Sequence, residues 1–208
     1  VAVTVDTPDR VVLLTNDGNG NLTQTGSIAL PNSSSPGAIV AADFDGDTDI
    51  DLAVALQDFG QVIILINNGA GNFTTGGSFG VGQNPRGLTV GDVNGDQIAD
   101  LAVANRDSNT ASVLVNNGNA TFTVTTLSAG AEPRGTALGD FDGDTDMDLA
   151  VSNHDDRTIS LYRNNGSGVF SAAGSLSVGG QRRPEGIVAA DLDGNGSADL
   201  AAASNGNG

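Results

Sequence analysis

Residues Asp43–Asp51 read Asp-Phe-Asp-Gly-Asp-Thr-Asp-Ile-Asp, and stretches of the same design begin at Asp92, Asp140 and Asp191. The second reads Asp-Val-Asn-Gly-Asp-Gln-Ile-Ala-Asp, the third Asp-Phe-Asp-Gly-Asp-Thr-Asp-Met-Asp and the fourth Asp-Leu-Asp-Gly-Asn-Gly-Ser-Ala-Asp. Their first residues stand 49, 48 and 51 positions apart. A hard cation such as Ca²⁺ takes about six to eight oxygens at ~2.3–2.6 Å, and alternate residues of a tight loop can supply them. Side-chain oxygens fall at positions 1, 3, 5 and 9. These are Asp43, Asp45, Asp47 and Asp51 in the first loop, and Asp92, Asn94, Asp96 and Asp100 in the second. The third loop supplies Asp140, Asp142, Asp144 and Asp148, and the fourth Asp191, Asp193, Asn195 and Asp199. Position 7 (Asp49, Ile98, Asp146 or Ser197) offers a backbone carbonyl. Gly at position 4 lets the chain curl without a Cβ in the way. Crowding carboxylates into nine residues costs repulsion that a cation removes, so the loops predict about four Ca²⁺ sites rather than four solvated turns.

The charge balance agrees. The 208-residue chain carries 25 acidic and 8 basic residues, a formal charge of −17. Sixteen of those acids lie in the four loops, so the acidity is local ligand supply rather than a general acidic coat. Nucleic acid is excluded as an expected partner, because phosphate binding needs a basic patch. There is no Cys, hence no disulfide and no thiol chemistry. No apolar stretch approaches the ~18–20 residues of a membrane helix. Modest-affinity Ca²⁺ loops suit the calcium-rich medium outside cells, so the expected location is extracellular, secreted or on a cell surface.

Other landmarks keep the same period. Pro36, Pro85, Pro133 and Pro184 each stand seven residues before a loop's first Asp. Leu-Ala-Val follows the loop at Leu52, Leu101 and Leu149, and Leu-Ala-Ala at Leu200. Asn-Asn-Gly begins 24 residues after the first three loop starts, at Asn67, Asn116 and Asn164. A repeat of this length marks a propeller or solenoid. Within one unit the pattern predicts four short strands, Gly87–Gly91, Leu101–Ala104, Ala111–Val115 and about Phe122–Leu127, bounded by turn signals. Small Ala and Gly residues on the first two suit a crowded inner edge, and Phe73, Phe122 and Phe170 suit packing between sheets. The expected fold is an all-β propeller of four-stranded antiparallel blades. Its repeats are 36–84, 85–132 and 133–183, with partial units at 1–35 and 184–208. Val1–Val5 and Leu200–Ser204 both take second-strand phase, which predicts a segment of a larger, seven- or eight-bladed propeller, or association through the end blades.

At these residues the chain resembles the FG-GAP and VCBS-type repeats, best known from the calcium-binding propellers of integrin α subunits. The resemblance covers essentially the whole chain. It implies loops that bind Ca²⁺ on one face of the propeller and a protein or glycan ligand on the opposite face. It also implies three kinds of role: an adhesion or recognition module, a lectin, or an accessory propeller of a secreted enzyme.

Strand alternation places the remaining charged loop residues on the face away from the acidic loops. Asp58, Phe59, Arg106, His154 and Arg157 are the ligand-binding candidates there, since function concentrates on such loops. Arg86 and Arg134 recur before equivalent strands and read as structural ion pairs with Asp107 or Asp155. His154, the only His, has no second His or Cys with which to anchor zinc and reads as an exposed loop residue. No nucleophile–base pair stands out, so catalysis is not expected. Low aromatic content, 4% with no Trp, weighs against the lectin reading.

Overall fold

The computed structural model describes residues 1–206, which form seventeen strands and, among the described residues, no helix. Sheet one holds β1 (Ala2–Asp6), β2 (Asp9–Asn16) and β3 (Leu22–Ala29). Sheet two holds β4 (Pro36–Ala42), β5 (Asp51–Leu56), β6 (Gln61–Asn67) and β7 (Phe73–Gly80). Sheet three holds β8 (Pro85–Gly91), β9 (Asp100–Asn105), β10 (Thr110–Asn116) and β11 (Phe122–Ser128). Sheet four holds β12 (Pro133–Gly139), β13 (Asp148–Asn153), β14 (Thr158–Asn164) and β15 (Phe170–Ser177). Sheet five pairs β16 (Arg183–Ala190) with β17 (Asp199–Asn205).

Every sheet is antiparallel with strands in chain order. Sheet one occupies the second, third and fourth positions of a blade. A register shift between Leu13 and Leu14 of β2 recurs at Ile64/Leu65 of β6 and Leu161/Tyr162 of β14, which aligns β2 with the third strands. Sheets one and five are not hydrogen-bonded to each other among the described residues.

Burial grades outward. The second strands β5, β9 and β13 are buried at all six positions, because a neighbouring blade covers each face. The fourth strands are mostly exposed. The inner strands β4, β8, β12 and β16 lean on one another in succession. A Cβ on Gly87 would lie 2.7 Å from the carbonyl oxygen of Arg134 and from the Cα of Gly135, so the close approach of β8 to β12 requires glycine. Apolar clusters fill the spaces between sheets. One joins Phe44, Ala53, Val62 and Ile64 of sheet two to Leu101, Val103, Leu114 and Phe122 of sheet three. Each fully buried Leu or Val there contributes about 1.5–3 kcal/mol relative to exposure. Phe122 does pack between blades, with edge contacts to Phe44 and Phe79 at centroid distances of 6.0 and 5.0 Å. Among the described residues no helix is long and apolar enough to cross a membrane.

Candidate metal centres

Each acidic loop joins the first strand of a sheet to the second, and its curl is held by its own carboxylates. Position 4 is left-handed, with φ of 84° at Gly46, 78° at Gly95, 86° at Gly143 and 80° at Gly194. Position 6 is left-handed as well, at Thr48 (75°), Gln97 (68°), Thr145 (77°) and Gly196 (90°). A β-branched Thr in that region costs about 1–2 kcal/mol, so something must hold it there. The position-1 carboxylate does. Asp43 accepts the N–H groups of Gly46 (2.8 Å) and Thr48 (2.9 Å). Asp92, Asp140 and Asp191 accept the equivalent pairs at 2.7–3.0 Å. These N–H donors, Gly143 first for Asp140 and Gly196 first for Asp191, hold both carboxyls below their ordinary range.

Position 9 opens the second strand, where Asp51, Asp100 and Asp148 are buried. One oxygen accepts the N–H of position 2: Phe44 at 3.0 Å, Val93 at 2.8 Å and Phe141 at 3.1 Å. The other accepts the N–H of Asn67, Asn116 or Asn164 at 2.7–2.8 Å. Burial still pushes the Asp100 and Asp148 carboxyls up, against these donors. Asp45 is raised too, by burial first and then by the surrounding carboxylates of Asp51, Asp47 and Asp43.

Positions 1, 3 and 9 converge. In the trios Asp43–Asp45–Asp51, Asp140–Asp142–Asp148 and Asp191–Asp193–Asp199, one oxygen from each member lies within 4.8 Å of the others. The second loop places Asn94 at position 3, where its amide nitrogen donates to Asp96 at 2.9 Å. Position 5 (Asp47, Asp96, Asp144, Asn195) stands outside these trios. The position-7 carboxylates of Asp49 and Asp146 crowd the hairpin glycines Gly69 and Gly166, leaving no room for a Cβ there. Arg163 pairs with Asp142 at 3.1 Å and is the one base bonded to these loops among the described residues. The donors are all oxygens, most of them anionic, which is the set a hard divalent cation takes.

The Asn-Asn-Gly landmark has a role beyond turn formation. The side chain of Asn116, 2% exposed, donates to the carbonyl of Ala99 in its own sheet at 3.2 Å and to that of Phe44 in the preceding sheet at 2.9 Å. Asn164 repeats this on Met147 (3.0 Å) and Val93 (2.6 Å). Backbone N–H groups of Ala120 and Gly168 donate to the same Phe44 and Val93 carbonyls. Position 2 is therefore a plug into the next blade: Phe44 and Val93 are fully buried. Sequence reading overlooked it; the signal was an apolar residue inside an otherwise acidic loop.

On the opposite face the ligand-binding candidates do not form one site. Asp58 and Phe59 line a small cleft with Asp107, and Asp58 accepts the Ser35 hydroxyl at 2.9 Å. His154 and Arg157 line a second, larger cavity at sheets four and five. Arg106 lies between them and is paired with Glu132 at 2.7 Å. Two expectations need correction. His154 is 6% exposed, not a loop residue in solvent. Its Nδ1 lies 2.8 Å from Asp155 and 3.5 Å from Glu132, and its Nε2 lies 3.3 Å from Glu185. The long Glu side chains close over the ring, which sequence spacing could not show. Arg134 does form an ion pair, but with Glu132 (3.0 Å) and Glu185 (2.7 Å) instead of Asp155. Asp155 is taken by His154 and by Arg183 (3.1 Å), while Arg86 has no ion pair among the described residues.

Hydrogen bonds from Arg106 first and Arg134 second hold Glu132 down at about 2, from an ordinary 4.5. A carboxyl depressed in the folded state stabilises fully above its unfolded value and loses that contribution as pH falls through the folded one. Glu132→Gln should therefore lower the Tm at pH 6, with the gap from the unmodified chain closing between pH 4.5 and about 2. A constant gap across that window in a thermal-melt series would contradict the assignment.

The model of the FG-GAP-like repeat family matches residues 1–54, 43–103, 92–151 and 140–202, which together cover nearly the whole chain. No curated protein matches it in sequence. Among solved structures, a protein from Lactobacillus plantarum is similar at TM-score 0.67 and 19% identity, over 85% of this chain and 54% of that one. The periplasmic gluconolactonase PpgL of Pseudomonas aeruginosa is similar at TM-score 0.66 and 18% identity, over 86% and 53%. BBS1N, solved in complex with ARL6DN, gives TM-score 0.65 and 18% identity, over 98% and 58%. At these identities the likeness concerns the propeller fold alone, and the chain spans little more than half the length of these proteins. Four in-register acidic loops on blades of antiparallel strands, with the family's repeat matched over each, establish that the chain belongs to the FG-GAP-like repeat family.

Proposed function

We propose that the chain is a Ca²⁺-stabilised extracellular recognition module, with ions in the loops of one face and a protein or glycan ligand on the other. The observation that carries this reading is the contrast between the faces. The loop carboxylates repeat from blade to blade and converge. The hairpin turns opposite share only the Asp at their second position (Asp58, Asp107, Asp155) and differ at the other three, and repetition marks scaffold while variation marks recognition. Positions 1, 3, 5 and 9 with the position-7 carbonyl would hold each ion, and the bound ion would supply charge neutralisation to the loop. Binding is favoured over catalysis because both ring nitrogens of His154 face carboxylates and, among the described residues, no hydroxyl bonds to it. The test is binding of the intact chain to arrayed glycans and matrix proteins, with and without chelator. Ligand capture that survives both chelation and substitution of the hairpin turns would count against the reading.

A lectin role is the second reading, favoured by grooves between outer strands. One, of about 430 Å³, is lined by Tyr162, Asp156, Thr158 and Ser160. Loss of glycan signal in Tyr162→Ala with protein binding intact would favour it.

Ligand charge also ranks the sites. The first and third loops have Asp at positions 1, 3, 5 and 9, while the second and fourth each exchange one for Asn. The first and third should bind Ca²⁺ more tightly, by a margin that shrinks with salt. Arg163 competes for Asp142, so Arg163→Ala should tighten the third loop further. Calorimetric titration of Asp45→Ala, Asn94→Ala, Asp142→Ala and Asp193→Ala checks the order. Tighter second and fourth loops at low ionic strength would refute it.

A further inference from the structure

Three hairpin turns face away from the acidic loops, at 57–60, 106–109 and 154–157. The last residue of each is left-handed, with φ of 60° at Gly60, 53° at Asn109 and 57° at Arg157. Gly and Asn accept this conformation readily, whereas an arginine there is strained. The turn itself is structural, because the Arg157 carbonyl accepts the N–H of Val178 at 3.1 Å, as Gly60 does from Val81 and Asn109 from Ala129. Gly or Asn would serve there equally, and the guanidinium is not needed for it. Arg157 has no carboxylate partner among the described residues, and its Nε is buried without a hydrogen-bond acceptor. A side chain that raises the cost of a turn without holding it is a pointer to function.

The cavity that Arg157 lines measures about 720 Å³ and is shared by Arg134, Arg183, Gln181, Asn205 and Glu185. That size is within the ~300–1,000 Å³ of small-molecule sites. Glu185 is the one acid in the wall, and Arg134 Nη1 already donates to both its oxygens at 2.7 Å. Arg183 is paired with Asp155 at 3.1 Å. Arg157 is thus the uncommitted charge, in a wall of three arginines on a chain of net charge −17. A guanidinium offers a planar fork of donors that matches carboxylate or sulfate oxygens. The amides of Gln181 and Asn205 both donate and accept, as hydroxyl groups require. No Phe, Tyr or Trp lines the cavity, and the one ring in its wall, His154, is 6% exposed and flanked by carboxylates, so a neutral sugar face finds little to stack on.

We propose that this cavity binds a small acidic sugar, with Arg157 holding its carboxylate or sulfate. The proposal rests on the reading of this face as the ligand side. The experiment is an NMR titration of the Ca²⁺-loaded chain, following the Arg Nε–H resonances, with glucuronate, glucose 6-sulfate and glucose in parallel. Saturable shifts of Arg157 are expected with at least one acidic sugar, and the two acidic arms tell carboxylate from sulfate. Glucose should give none. Arg157→Asn, the residue of the preceding turn, should weaken the acidic sugar at least about tenfold with an unchanged or higher Tm. Arg157→Lys should restore only part of it, since an ammonium lacks the fork. Equal response to glucose, unchanged binding by Arg157→Asn, or a Tm loss in that variant would overturn the proposal. So would the absence of saturation by either acidic sugar up to about 50 mM. If that absence accompanies capture of another ligand on this face, the anion site falls while the recognition reading stands.

Discussion

Ca²⁺ added to the metal-free chain should raise its Tm by about 15–30 °C, and chelation should reverse the rise. The size follows from linkage. A ligand that binds only the folded state stabilises by about 2.7 kcal/mol per site when free ligand is a hundred times Kd. The three trios that converge within 4.8 Å would together give about 8 kcal/mol. For a chain of this length each kcal/mol moves Tm by about 2–4 °C. The structure supplies the reason for so large a response. Without an ion, burial already opposes charge on Asp45, Asp100 and Asp148, and neighbouring carboxylates add to it. Melting curves in Ca²⁺, in Mg²⁺ and in chelator would check this, and superimposable curves with and without chelator would end the metal reading. Mg²⁺ should substitute poorly, because it demands near-octahedral geometry and dehydrates reluctantly.

Asn116→Ala should destabilise the chain by about 2–4 kcal/mol, the second-largest effect expected. The amide is buried and donates to two carbonyls in different sheets, so its removal strips a donor from each and leaves a small void. Phe44 keeps the N–H of Ala120, which bounds the loss. Asn67, whose side chain donates only to Ile50 at 3.1 Å in an exposed setting, is the internal control and should lose about 1 kcal/mol. The same Asn116 variant should weaken Ca²⁺ at the first loop although Asn116 is not a ligand there. Denaturant melts and single-site titrations measure both. Equal costs at Asn67 and Asn116 would show that the contact across sheets contributes nothing.

The propeller was legible because its signals are local and repeated. Alternating short strands, glycine turns and acidic loops each depend on neighbours in sequence, and four copies averaged out the noise. The unit read from 85 to 132 places its four strands within two residues of β8–β11. What escaped depends on how one blade meets the next. Asn116 looks like any turn asparagine until the carbonyl of Phe44, 72 residues away, comes within 2.9 Å. His154 reads as a surface residue because its cover comes from Glu132 and Glu185, on turns and strands of neighbouring units. The strain at Arg157 is a backbone angle, and only comparison with Gly60 and Asn109 hinted at it.

The asparagine clasp also imposes a direction in time. Phe44 must wait for Asn116, 72 residues later, and Val93 for Asn164, 71 later. A chain emerging N-terminus first thus cannot close the clasp on an acidic loop when the loop itself is made, only after the following blade has arrived. Clasp closure becomes a travelling front, one blade behind the growing end. A pause in synthesis or a cut between blades would leave the last loop formed without the clasp that holds it to its neighbour.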